Sequence, residues 1–80
     1  MRRYFFDFRD GESVVTDEEG LELLTLDTVQ EEAARALGQM ARDELPLAGN
    51  RQTRYMAIEV RDEDGPVLHV KFSFEMKRLQ

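Results

Sequence analysis

Residues 27–45 read DTVQEEAARALGQMARDEL, and the spacing within this stretch decides the fold. Val29, Ala33, Ala36, Leu37, Met40 and Ala41 recur at the three-and-four interval of one helical face, while Glu31, Arg35, Gln39 and Arg42 fall on the other side. The spacing predicts a helix over Asp27–Leu45. Asp27 and Thr28 are both candidate caps, with Gln30 or Glu31 three residues on, and Glu31 and Glu32 suit the positive end of the helix dipole. Pro46 forbids continuation, because the residue before a proline is pushed out of the helical region. Gly38 lies away from the stripe, where it costs about 1 kcal/mol relative to alanine. Most of the buried stripe is alanine, so bulky side chains from elsewhere must fill the space against it.

Working outward, Arg3–Arg9 alternates Tyr4, Phe6 and Phe8 with Phe5, Asp7 and Arg9, the two-residue period of a strand. Asp10-Gly11 is a tight-turn signal that reverses the chain into a short second strand around Glu12–Val15. Asp17-Glu18-Glu19-Gly20 marks another turn, and Leu21, Leu23 and Leu24 form a brief extended segment. Beyond the helix, Pro46–Asn50 reads as a loop and Arg51–Thr53 carries no pattern. Arg54–Asp62 sets Met56, Ile58 and Val60 against Tyr55, Ala57, Glu59 and Arg61. After a turn at Glu63-Asp64-Gly65-Pro66, a last strand from Val67 to about Met76 sets Leu68, Val70, Phe72, Phe74 and Met76 against Val67, His69, Lys71, Ser73 and Glu75.

This order implies one α+β domain over residues 1–80: a two-layer sandwich in which an antiparallel sheet of about four strands (β-β-α-β-β) carries one helix on one face. Tyr4, Phe6, Phe8, Phe72 and Phe74 supply the bulk that the helix lacks, so Phe6→Ala is expected nearly to unfold the domain. One helix covers one side of such a sheet. Phe5, Tyr55, Ala57 and Val67 should therefore lie on an open face among Asp7, Arg9, Glu59, Arg61, Lys71 and Glu75, whose charges can pair across strands. That face is then either wet or buried against a second copy, and the long last strand offers an edge for pairing with a second copy or a peptide.

Composition narrows the function classes. The chain has 80 residues, 41% apolar, with a net charge of −6 and no cysteine. That is enough for one modest core, and it allows neither a disulfide nor a thiolate site. No apolar run is long enough to span a membrane, and the Met1–Phe6 start, basic then apolar, is interrupted by Asp7 and Arg9. The acidic balance argues against direct nucleic-acid contact. Between Arg9 and Arg35 there is no basic residue, while Asp10, Glu12, Asp17, Glu18, Glu19, Glu22, Asp27, Glu31 and Glu32 all lie there. This half is either a solvated face or a docking patch for a basic protein.

No catalytic, cofactor-binding or metal-binding set can be assembled. His69 is the single histidine, on the polar side of the last strand, with no nucleophile at a usable spacing and no second histidine for a metal. Carboxylates in a hydrated Asp17–Glu19 turn should keep ordinary acidity and do not divide into an acid and a base. Asp62-x-Asp64-Gly65 begins like a calcium loop but lacks the third ligand and the closing glutamate, so a turn explains it. The glycines are isolated and form no phosphate cradle.

Tyr4-Phe5-Phe6-Asp7-Phe8-Arg9-Asp10-Gly11, then Asp17-Glu18-Glu19-Gly20-Leu21-Glu22-Leu23, then Asp27 leading into the helix, and finally Val60-Arg61-Asp62-Glu63-Asp64-Gly65-Pro66-Val67-Leu68 resemble a bacterial domain family of unknown function, common in rhizobia and related soil bacteria. The similarity covers nearly the whole chain. Where many relatives carry a histidine after the aromatic run, this chain has Asp7. The resemblance implies a fold and a cytoplasmic location and no reaction. A looser likeness to the antitoxin halves of toxin and antitoxin pairs is analogy only. The expectation is a non-enzymatic module acting through protein contacts, most simply homodimerisation through the open sheet face or an edge; the alternative is a regulatory, antitoxin-like protein whose acidic region 10–32 covers a basic partner. The candidate surface residues are Phe5, Tyr55, Ala57, Val67, Asp17, Glu18, Glu19 and Glu22.

Overall fold

The computed structural model describes residues 1–44 and 53–80. The expected loop at Pro46–Asn50, the helix end at Leu45 and the patternless Arg51-Gln52 lie outside the described residues. Five strands and one helix follow in the order β1 (Arg2–Asp10), β2 (Ser13–Val15), β3 (Leu21–Leu23), α1 (Leu26–Glu44), β4 (Thr53–Asp62) and β5 (Gly65–Glu75). All pairings are antiparallel, the sheet order is β2-β1-β4-β5, and β3 pairs with β1. The expected α+β sandwich is therefore present, with Leu21–Leu23 adding a fifth strand.

β2 and β3 behave as one interrupted edge strand. Val15 lies opposite Phe8 and Leu21 opposite Tyr4, so six steps of chain run past four steps of β1. The surplus is looped out over Thr16–Gly20. Gly20 adopts φ 73°, and an added Cβ there would come within 2.9 Å of both Arg3 Cγ and Phe5 Cε1, so the loop closes tightly onto β1 only because this residue has no side chain.

The core assembles around β4. Met56, Ile58 and Val60 are almost fully buried beneath Val29, Ala33, Leu37 and Ala41 of α1, with Tyr4 and Phe8 joining from β1. Ala36 and Met40 flank this cluster, so the whole expected stripe faces the sheet. Phe6 and Phe72 are only half-buried against it, and Phe74 lies outside it, because β4, and not the aromatic β1, runs under the middle of the helix. The helix cap also differs from expectation. Thr25 caps it: the Thr28 amide donates to Thr25 Oγ1 (3.2 Å) and the Thr25 amide donates back to Thr28 Oγ1 (3.3 Å), a reciprocal box two residues before Asp27.

One buried charge closes the far end of the core. Arg54 is in phase with Met56 and so faces the helix side, where it is 6% exposed. Its guanidinium donates to the Asp10 carboxylate and, at 3.2 Å, to the Glu44 carbonyl at the end of α1. An arginine fits here because it can satisfy an acid and a helix carbonyl together.

Candidate functional site

The open sheet face is built by strand register. Across β1 and β4, Phe5 lies opposite Arg61, Asp7 opposite Glu59, and Arg9 opposite Ala57, so charges of both signs form a diagonal lattice. Arg9 Nε donates to Glu59 Oε2 at 2.9 Å, and Arg61 Nε donates to Asp7 Oδ2 at 2.9 Å. The Arg61 guanidinium also lies 4.5 Å over the Phe5 ring, a cation–π contact that covers the aromatic face. The hydrogen bond from Arg9 to Glu59 holds the guanidinium proton more firmly, raising the Arg9 pKa above its ordinary value.

Asp17 sits at the centre of the looped-out segment. Its carboxylate accepts the backbone N–H of Phe6 (3.1 Å), Glu19 (3.1 Å) and Gly20 (3.2 Å). The Phe6 amide lies in the gap of β1 between the stretches paired with β2 and β3, so the carboxylate supplies the acceptor that the interrupted strand does not. The Asp17 amide in turn donates to Asp7 Oδ1 (2.9 Å), and Arg61 Nη2 donates to the Asp17 carbonyl (3.0 Å). Burial is the largest single influence on this carboxyl and would raise its pKa, but the three amide donors and the nearby Arg61 charge together outweigh it and lower the pKa. The expectation of ordinary acidity in a hydrated turn is thus corrected for Asp17.

The expected surface residues separate into distinct groups. Tyr55 is 67% exposed on the open face, as expected. Phe5 is half-buried under Arg61. Ala57 is only 6% exposed, because its single methyl group lies beneath the longer side chains of the neighbouring strands, opposite Arg9 on one side and Lys71 on the other; its assignment as an open apolar spot is corrected. Val67 is corrected as well. Val60 pairs with Leu68 and Arg61 with Pro66, so Val67 is the extra residue of a β-bulge and packs against the core. Among the acids, Glu18 and Glu19 are exposed, Glu22 pairs with Arg3 at 3.3 Å, and Asp17 is consumed by the loop. Asp10 is held by Arg54 and Glu32 by Arg35, so the acidic region 10–32 presents fewer free carboxylates than its sequence offers.

A groove of about 600 Å³ opens beside the bulge, bordered by Asp7, Glu59, Arg61, Pro66 and His69. Its three paired side chains are engaged with arginine or carboxylate neighbours, and His69 stands opposite Glu59 in register. At the adjoining hairpin tip, Asp62 accepts from the Asp64 amide (2.8 Å) and from Arg2 (2.9 Å), the latter being the main reason its pKa is lowered. The segment that begins like a calcium loop therefore uses its first acid to shape a turn.

The remaining surface of interest is the edge opposite β2. β5 runs eleven residues with β4 on one side and no strand on the other among the described residues. Every second residue there turns its backbone N–H and C=O outward. The alternation from Leu68 to Glu75 identifies a strand in the sequence, and the sheet order places it at an edge.

No helix among the described residues is long and apolar enough to cross a membrane. No curated protein and no solved structure matches the chain. A family profile described as a domain of unknown function, DUF6894, matches residues 3–73, from the start of β1 almost to the end of β5. With the interrupted edge strand, the helix and the closing hairpin all inside that match, the chain belongs to the DUF6894 family.

Proposed function

We propose that this chain is a non-catalytic protein-binding module that associates with a second copy of itself by strand addition along β5. The observation that carries this reading is the outer side of β5, eleven residues long and unpaired among the described residues, whose side chains alternate from Leu68 to Glu75. Pro66, which has no N–H to donate, stands at the start of β5 and leaves the later part of the strand, from Val70 onward, as the unobstructed portion. The open sheet face supports the reading less well as an interface: its β1 and β4 charges are paired with one another, Ala57 is buried and Phe5 is already covered.

Sedimentation velocity over a concentration series tests this function. Self-association through one short edge is a small interface, so a dimer should grow in at micromolar to high micromolar concentration. A strictly monomeric boundary throughout would refute the proposal.

A further inference from the structure

The side-chain pattern of β5 assigns a register to this pairing, and the inference rests on the edge-association reading above. We infer that two copies pair antiparallel about a two-fold axis through Ser73, with Lys71 of each copy opposite Glu75 of the other. In a symmetric antiparallel pair, fixing the central residue fixes every other partner. Centring on Ser73 places Lys71 against Glu75 twice, once on each side of the axis. It also sets Phe72 against Phe74, and Val70 against Met76, on the helix side.

Both faces of the strand favour this arrangement. Ser73 lies opposite the exposed Tyr55 on the open face, and Lys71, Ser73 and Glu75 are all solvent-exposed in the single chain. Phe72 and Phe74 are half-buried and Met76 is 50% exposed, so apolar surface remains on the helix side for the second copy to cover. Other centres fit less well. An axis through Lys71 sets two lysines directly opposite, which is repulsive. An axis through Phe72 sets Lys71 opposite Ser73 and Glu75 opposite His69, so the lysine meets no acid. An axis near the start of β5 brings Pro66 into the ladder, where it cannot donate. Lys71 thus disfavours pairing with itself and selects the register that gives it an acid.

The chain contains no cysteine, so single-cysteine cross-linking reads the register directly. Under mild oxidation Ser73→Cys should form a covalent dimer, because residues directly opposite in an antiparallel pair are within disulfide reach. Lys71→Cys alone and Glu75→Cys alone should not, whereas the two mixed should. Charge reversal gives a second readout: Lys71→Glu should weaken association about tenfold and the double variant Lys71→Glu, Glu75→Lys should restore it. If the wild type dimerises but Ser73→Cys stays monomeric while a cysteine elsewhere on β5 cross-links to itself, this register is overturned and edge association stands. If the wild type sediments as a strict monomer and no variant cross-links, both are overturned.

Discussion

Replacing Asp17 by alanine removes the acceptor of three backbone amides, and its cost can be worked out donor by donor. The Phe6 amide lies within the sheet, in the gap between β2 and β3, where no strand among the described residues supplies a carbonyl. A hydrogen bond to a charged acceptor contributes about 1.5–3 kcal/mol, and about 2 kcal/mol is a fair value at this partly buried site. The Glu19 and Gly20 amides lie in the loop itself, where water can replace the carboxylate, so each loses only about 0.5 kcal/mol. The sum is about 3 kcal/mol, or a fall in melting temperature of roughly 12–24 °C for a domain of this size. Asp17→Asn should recover only part of this, because one amide oxygen cannot serve both the Phe6 donor and the loop donors while its NH2 group faces one of them.

The pH dependence gives a separate signature. The Asp17 pKa is lower in the folded chain than in the unfolded one, so its contribution is fully present above about pH 4 and is lost as pH falls through the folded value. The gap between wild type and Asp17→Ala should accordingly narrow in acid. Urea unfolding monitored by circular dichroism from neutral pH to about pH 3 measures both quantities. An Asp17→Ala variant within about 0.5 kcal/mol of wild type at neutral pH, the usual range for an unremarkable surface change, would show that the carboxylate does not hold the Phe6 amide in the folded chain.

Gly20→Ala should destabilise by about 1–3 kcal/mol, since φ is 73° and the new Cβ meets Arg3, Phe5 and the Tyr4 carbonyl; Gly38→Ala, on an open helical surface with nothing within 4 Å, should stabilise by about 0.5–1 kcal/mol, and paired melts compare them. Arg54→Ala strands the Asp10 carboxylate and the Glu44 carbonyl and should cost about 2–4 kcal/mol, slightly discounted from a fully buried pair because Asp10 is partly exposed; chemical denaturation reads it. Phe8→Ala should cost about 3–5 kcal/mol and Phe6→Ala distinctly less, because Phe8 is 7% exposed and Phe6 is half-buried, and equal losses in the two variants would overturn the placement of the core centre.

What could be read in advance follows from how local each cause is. The helix stripe from Val29 to Ala41 and the alternation of β1, β4 and β5 are periodic patterns carried by neighbouring residues, so layers and faces were legible. The Thr25 cap was obscured by Asp27 and Thr28, which suit a cap equally well by residue type; only the reciprocal bonds distinguish them. Arg54 carried a usable signal, its phase with Met56, Ile58 and Val60, although a charged residue at a strand end reads first as solvated. Val67 was misplaced because a bulge moves one residue out of the two-residue period, and Pro66 was its one local mark. Asp17 was the least legible. Its role depends on an amide of β1, eleven residues earlier, left between the stretches paired with β2 and β3, and nothing in Asp17-Glu18-Glu19-Gly20 shows that its first acid is turned inward while the next two face solvent.

The same distinction applies to the pieces on which the family resemblance rests. In this chain Asp17 and Gly20 close the interrupted edge, Gly11 turns β1 into β2 at φ 61°, and Asp62 shapes the tip between β4 and β5. These residues build the sheet that leaves β5 at its margin.

Hydrogen exchange of the β5 amides across a protein concentration series tests edge association most directly, because it reads the strand itself. Edge pairing should slow the outward-facing amides between Val70 and Met76 as concentration rises, while exposed amides of α1 do not change. Exchange along β5 that is identical at every concentration would contradict it.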